Sequence, residues 1–293
     1  MTLRAPAGLR YSPLPDRRDF VWPDGKRLAV HLCVNLEHFS YGEGLGLSYS
    51  PGLAHPNTYN WAWREYGNRV GFWRLLELFD QEQIPVSALL NSELGQHAPQ
   101  IIAALRARGD EIVGHGRTNS EHQNDFDEAG EAALIADATH ELERQSGARP
   151  TGWLSPGVNP SGVTNDLLEE AGYGYVLDWP MDDQPVWLGT RNGGRILSVP
   201  YPHEINDVPF IALHHGTADA FADAIIDNFD EMLEQADAQS LVYGISIHAF
   251  LLGQPFRLRH LRRALQHING RRDDIWWATT GQIAEHYAAQ VPS

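Results

Sequence analysis

A chain of 293 residues, 42% of them hydrophobic, can bury a large core in one sizeable domain or two ordinary ones. Its formal net charge of −16 argues against nucleic acid or an anionic membrane as partner and leaves a small neutral molecule as the compatible ligand. The single cysteine, Cys33, excludes an intrachain disulfide, the start lacks an apolar signal stretch, and no run approaches the roughly 18–20 apolar residues of a membrane span, so a cytoplasmic location is expected.

Residues 1–26, rich in Pro, Arg and Asp, read as an extended arm on the surface, and residues 27–293 as the main domain. The run RLAVHLCVNLEHF is β-branched and nearly continuous in apolar residues, as a strand buried on both faces is. RVGFWRLLELFDQEQ follows with near-helical apolar spacing, then IPVSALLN as a strand, HAPQIIAALRARG as a helix closed by Gly109, and DEIVGHG as a third strand. The alternation continues through DEAGEAALIADATHELERQSG, TGWLSP, TNDLLEEAGYG, YGYVLD, RILSVP, ADAFADAIIDNFDEMLEQ, SLVYGISIHAF, RLRHLRRALQHI and DIWWATT. Repeated strand-then-helix units imply a parallel sheet with helical crossovers. About eight strands in one chain of this size fit a (β/α) barrel, with the stretches 38–68 and 179–195 as loops.

In such a barrel the chemistry sits where strands run into loops at the C-terminal face. The polar groups there are Asn35, Glu37 and His38, then Asn91, then His115 to His122, then Trp153, Ser155 and Asp178, the segment PYPHEIND, and finally His248. Period-two alternation puts Asn35 and Glu37 on the same side with Leu36 opposite, so an amide and a carboxylate share the end of one strand. No G-x-S-x-G elbow and no glycine-rich phosphate loop is present, and Cys33 lies inside an apolar strand, so covalent and nucleotide-dependent mechanisms drop out.

These residues resemble the NodB-homology polysaccharide deacetylases from about residue 20 to 290. The resemblance implies an α/β fold, an irregular (β/α) barrel of that type. In that family the first strand ends in paired aspartates and the third in His-x-x-x-His. Here NLE stands at the acids, HGRTN at the histidine pair, ARPTGWLSP at an Arg-Pro stretch and ISIHAF at a late histidine. Two residues depart from the pattern, Asn35 and Asn119. A zinc-dependent deacetylase needs a carboxylate base and enough anionic or imidazole ligands. Asn35 cannot accept a proton, and a divalent metal such as zinc would rely on Glu37, His115 and the weak ligand Asn119, so weak metal binding or none is expected.

Within the superfamily the chain resembles the purine-utilisation allantoinases and the cyclic imide hydrolases. The shared stretches here read EYGNRVGFWRLLELF, GDEIVGHG, RPTGW, DDQPVW, PYPHEIND and SIH followed by GQPFR. That resemblance implies hydrolysis of a C–N bond in a small cyclic amide or imide. Such a reaction needs activated water, oxyanion stabilisation and protonation of the departing nitrogen. Glu37 and His115 are the candidates to activate water, and His248 is the candidate acid or oxyanion donor. Trp153, Tyr201 and Trp61 or Trp63 are candidate flat walls, while Asn35, Asn119, Asn206 and Asp207 are candidate hydrogen-bonding contacts to the ring.

His122, His214 and His215 read as loop histidines, and Trp276 and Trp277 as core. RLRHLRRALQH reads as an amphipathic helix with a charged outer face rather than a nucleic-acid site. The aromatic arm and wide apolar helices suggest a homo-oligomer, and the resemblance points to a tetramer. Two other functions compete with ring opening: metal-dependent N-deacetylation of an acetylated amino sugar, and ligand binding without catalysis.

Overall fold

The computed structural model describes residues 9, 11–43 and 56–292. Its strands are β1 Leu28–Leu36, β2 Ser87–Leu90, β3 Glu111–Gly114, β4 Gly152–Trp153, β5 Tyr175–Val176, β6 Val186–Gly189, β7 Arg195–Ser198, β8 Leu241–His248 and β9 Ile275–Trp277. The helices are α1 Thr58–Tyr66, α2 Phe72–Glu82, α3 Leu94–His97, α4 Pro99–Arg108, α5 Glu128–Ser146, α6 Thr164–Glu170, α7 Ala218–Gln235, α8 Ala249–Leu252, α9 Pro255–Asn269 and α10 Thr280–Gln290. One sheet runs in the order β6-β7-β5-β4-β3-β2-β1-β8, with β9 paired to the first residues of β1. All pairs are parallel except β6 with β7. The expected irregular barrel is present as an α/β single-domain fold whose sheet is not closed by hydrogen bonds. Between β7 and β8, where closure would be needed, the contact is an isolated bridge from Asn206 to Ser246.

The alternation of β1 shows how the core divides. Leu28, Val30, Leu32, Val34 and Leu36 point outward into a cluster with α2, α4, α7 and α9, whereas Ala29 and Cys33 point inward among Leu89, Val113, Leu197 and Val242. His31 lies on that inner side, fully buried, with Nε2 2.9 Å from the Pro200 carbonyl oxygen. The inner face is therefore apolar at the start of the strand and becomes polar at Asn35 and Glu37, where the strand leaves the barrel.

Three expectations require correction. Residues 38–68 were expected as loop, but Thr58–Tyr66 is helical, capped by the Asn57 side chain, which accepts from the Asn60 N–H at 2.9 Å. A π-helical segment at Gly67–Gly71 joins it to α2. The two glycines let this junction approach α8 so closely that a Cβ on Gly71 would lie 2.0 Å from the Ala249 carbonyl oxygen. Residues 44–55 of the same stretch lie outside the described residues. The segment 179–195 was also expected as loop, yet Val186–Gly189 is a strand hairpinned to β7.

The third correction concerns the arm. Phe20 and Trp22 do not lie on the surface; they are 6% and 1% exposed and pack with Ile283 and Tyr287 of α10 at the N-terminal end of the barrel. Trp22 Nε1 donates to the Leu241 carbonyl oxygen at 2.9 Å, and its ring meets Phe20 edge-on at 4.9 Å. Trp22→Ala is expected to cost about 3–5 kcal/mol of unfolding free energy, measured by urea titration. A loss under about 1 kcal/mol would return the arm to the surface.

Candidate active site

The C-terminal ends of the strands enclose a cavity of about 700 Å³. Asn35, Glu37, His115, Asn119, Tyr201, Asn206 and His248 all line it. A larger groove, about 950 Å³, lies at the opposite strand ends among Asp24, Lys26, Asp230 and Asp273, with none of these converging groups.

The corner after β3 is built by two glycines. A Cβ on Gly114 would lie 2.6 Å from Trp153 Cε3, and Gly116 has φ +67 with Pro156 Cγ only 2.6 Å from where its Cβ would stand. The chain therefore turns sharply and presents His115 inward. His115 Nδ1 lies 2.7 Å from the Leu154 carbonyl oxygen, which can only accept. Nδ1–H therefore donates to that carbonyl, and Nε2 is the ring nitrogen turned to the cavity. That Nε2 is buried and has no hydrogen-bond partner.

Glu37 sits between three groups. Its Oε1 accepts from Asn119 Nδ2 at 2.7 Å and lies 3.6 Å from His248 Nε2 and 3.9 Å from His115 Nε2. Its carbonyl oxygen accepts from Asn68 Nδ2 at 3.0 Å. Burial opposes ionisation of Glu37, yet His248 and His115 outweigh it and hold the carboxyl well below the usual range. His248 is gripped by Asp207: Nδ1 lies 2.6 Å from Oδ1, and the backbone N–H donates to Oδ2 at 2.9 Å. Burial alone would lower His248, but Asp207 and Glu37 together push it up to about 9, so the ring is an imidazolium at neutral pH.

The inward face thus brings together Glu37, His115 and His248, all three expected from the sequence. Asn35 is instead tied inside the barrel: its Nδ2 donates to Ser246 Oγ at 3.0 Å, Ile247 O at 3.2 Å and Tyr201 OH at 3.3 Å. Asp207, expected as a substrate contact, is 0% exposed and spends both oxygens on His248, so it positions that ring. Asn206 lines the cavity, with its Oδ1 accepting from the Val208 N–H at 3.1 Å.

Trp153 is not a cavity wall. It is fully buried, stacked edge-on to Tyr173 at 5.4 Å, with Nε1 donating to Gln123 Oε1 at 2.9 Å. Trp61 and Trp63 do not line the cavity either; Trp61 Nε1 donates to the Phe39 carbonyl oxygen and Trp63 packs on Phe250. The aromatic walls are Tyr201, Phe39 and Phe250, the last two with the Arg64 guanidinium 3.9 Å and 5.5 Å from their ring centroids. Arg64 belongs to α1, a helix the sequence reading left as loop, and so it carried no signal. Of the loop histidines, His122 lines the cavity, whereas His214 and His215 are exposed. Asp178, noted only as a strand-end acid, also lines it and accepts from the Ser155 N–H and hydroxyl, both at 2.7 Å. Burial lifts its carboxyl to about 6, against those two bonds.

A zinc ion, which the resemblance implies, would meet a weak donor set here. His248 is engaged by Asp207 through Nδ1 and stands 3.6 Å from Glu37 through Nε2, so the donors left beside Glu37 are the unpartnered His115 Nε2 and the unpartnered neutral amide oxygen Asn119 Oδ1. Among the described residues these groups do not gather three His, Cys, Asp or Glu ligand atoms within 4.8 Å of one another.

No family model matches the chain. A Schizosaccharomyces pombe protein with a provisional polysaccharide deacetylase designation is 25% identical over 300 residues, covering 92% of this chain and 93% of its own. The crystal structure of Puue allantoinase superposes with a TM-score of 0.84 at 28% identity, covering 97% of this chain and 96% of its own. A Pseudomonas aeruginosa PAO1 structure, also provisionally a polysaccharide deacetylase, gives 0.83 at 28%, with 96% of each chain covered. These similarities support the polysaccharide deacetylase superfamily for the chain. Among the described residues no helix is long and apolar enough to cross a membrane.

Proposed function

We propose that the protein is a hydrolase that opens a small cyclic amide or imide at its C–N bond. The observation that carries this reading is a carboxylate flanked by two imidazoles, His115 with its buried, unpartnered Nε2 at 3.9 Å and His248, gripped by Asp207, with Nε2 at 3.6 Å. The amide at Asn35 supports it as well, since a metal-water deacetylase would want a base there. The allantoinase likeness supports the ring-shaped substrate, and the cavity of about 700 Å³ with walls from Tyr201, Phe39 and Phe250 suits a compact flat molecule.

Water held between Glu37 Oε1 and His115 Nε2 attacks the ring carbonyl. Glu37 by itself is too weak a base, so His115 Nε2 takes the proton and the Glu37 charge stabilises the resulting imidazolium. As the C–N bond breaks, His248 Nε2–H protonates the departing nitrogen, and Asp207 holds its other N–H throughout. An imide nitrogen leaves readily because its second carbonyl delocalises the charge, so two proton transfers suffice.

The test is a turnover screen of hydantoins, succinimide-like rings and acetylated amines, with and without a chelator. Ring opening that persists in chelator is the expected result. Acetate release that requires added zinc, with no ring opening, would sink the proposal and favour a metal-dependent deacetylase. That second reading draws on the deacetylase relatives and on the unpartnered His115 Nε2 facing Glu37.

A further inference from the structure

A second cluster lies beside the cavity, apart from the groups assigned to ring opening. His38 is the first residue beyond Glu37 on the loop leaving β1, Glu65 is on α1, and His97 ends α3. One ligand atom from each of the three lies within 4.8 Å of the other two. Glu65 Oε2 is 2.7 Å from His97 Nε2, and the His38 and His97 rings are 4.9 Å apart between centroids. Glu65 is 6% exposed. His38 Nδ1 is buried with no hydrogen-bond partner, an expensive state for an imidazole nitrogen unless something else occupies it.

We propose that His38, Glu65 and His97 form a divalent-metal site of the zinc class, distinct from the catalytic groups. Two imidazole nitrogens and a carboxylate oxygen, completed by water, are a complete tetrahedral zinc set. With bonds of about 2.0–2.1 Å the ligand atoms stand about 3.4 Å apart, so the metal opens the Glu65–His97 contact slightly and draws the others in. His97, 39% exposed, has the side-chain freedom for that adjustment and gives the ion a way in. The second carboxylate oxygen is already oriented, because Glu65 Oε1 accepts from Asn68 Nδ2 at 3.2 Å. The same Asn68 amide donates to the Glu37 carbonyl oxygen. Metal here would therefore clamp α1, the end of α3 and the loop behind Glu37 into one unit, without touching the reacting atoms.

The site does not rest on the ring-opening proposal, and binding is measured without turnover. The chelator-treated full chain is titrated with zinc by calorimetry and with cobalt by visible absorption. One zinc per chain is expected, with tetrahedral cobalt bands, and His97→Ala should weaken both at least about tenfold. His115→Ala should leave both unchanged. Absence of zinc uptake by the wild type overturns the site, and so does uptake that His97→Ala leaves intact or that only His115→Ala removes. His97→Asn serves as a second variant if the alanine protein does not fold, with the same expected loss.

Discussion

Glu37→Gln is expected to lower kcat/KM for ring opening by about 10²–10⁴-fold, and His115→Ala by a similar factor. The glutamine is isosteric and its oxygen can still accept from Asn119 Nδ2, so geometry survives while the charge does not. Without that charge the imidazolium formed at His115 is no longer stabilised, and the attacking water loses one of its two anchors. His115→Ala removes the buried, unpartnered imidazole nitrogen that stands 3.9 Å from Glu37 Oε1. The two losses should be far from additive in the double variant, because both residues act on the same water. Circular dichroism and thermal melts separate this from misfolding. Full activity in either single variant would remove the proposal.

The second large effect concerns pH. Because His248 must be protonated to serve as acid and is raised to about 9, kcat/KM should be flat at neutral pH and fall as pH rises through about 9. Asp207→Asn removes one of the two charges that raise it, so the fall should move to lower pH, and the plateau should drop by about 10²-fold or more. A merely structural role for Asp207 would lower the plateau without moving the limb. The same shift has a stability consequence. The folded state binds the His248 proton more tightly than the unfolded chain, whose imidazole titrates near 6.5. Its contribution is thus complete below about 6.5 and lost as pH climbs to about 9. An unfolding free energy that stays level across that window in the wild type, with the limb unmoved in Asp207→Asn, contradicts the assignment.

Much of the fold was legible because buried parallel strands and amphipathic helices write their burial directly into local pattern. The run ending at Leu36, the three strands that follow it, and the strand ending at His248 were all expected where they occur. The elements that escaped lack such a pattern. The helix Thr58–Tyr66 is aromatic and polar in mixed order, stabilised by its Asn57 cap and by contact with α8, neither visible as periodicity. The strand Val186–Gly189 is short and depends on its hairpin partner. The arm looked superficial because its composition is polar, while two aromatic residues within it seal the barrel.

The sequence alone sufficed to bring Asn35 and Glu37 to one strand end and to nominate His115 and His248, since side-chain alternation and strand ends are local properties. Tertiary structure decided everything that depends on which groups meet. It assigned Asp207 to His248 rather than to the substrate, turned Asn119 onto Glu37, buried Trp153 and put Arg64, Phe39 and Phe250 at the cavity. The charge state of His248 followed only then, because it arises from carboxylates 2.6 Å and 3.6 Å from its ring that stand tens to hundreds of residues away along the chain.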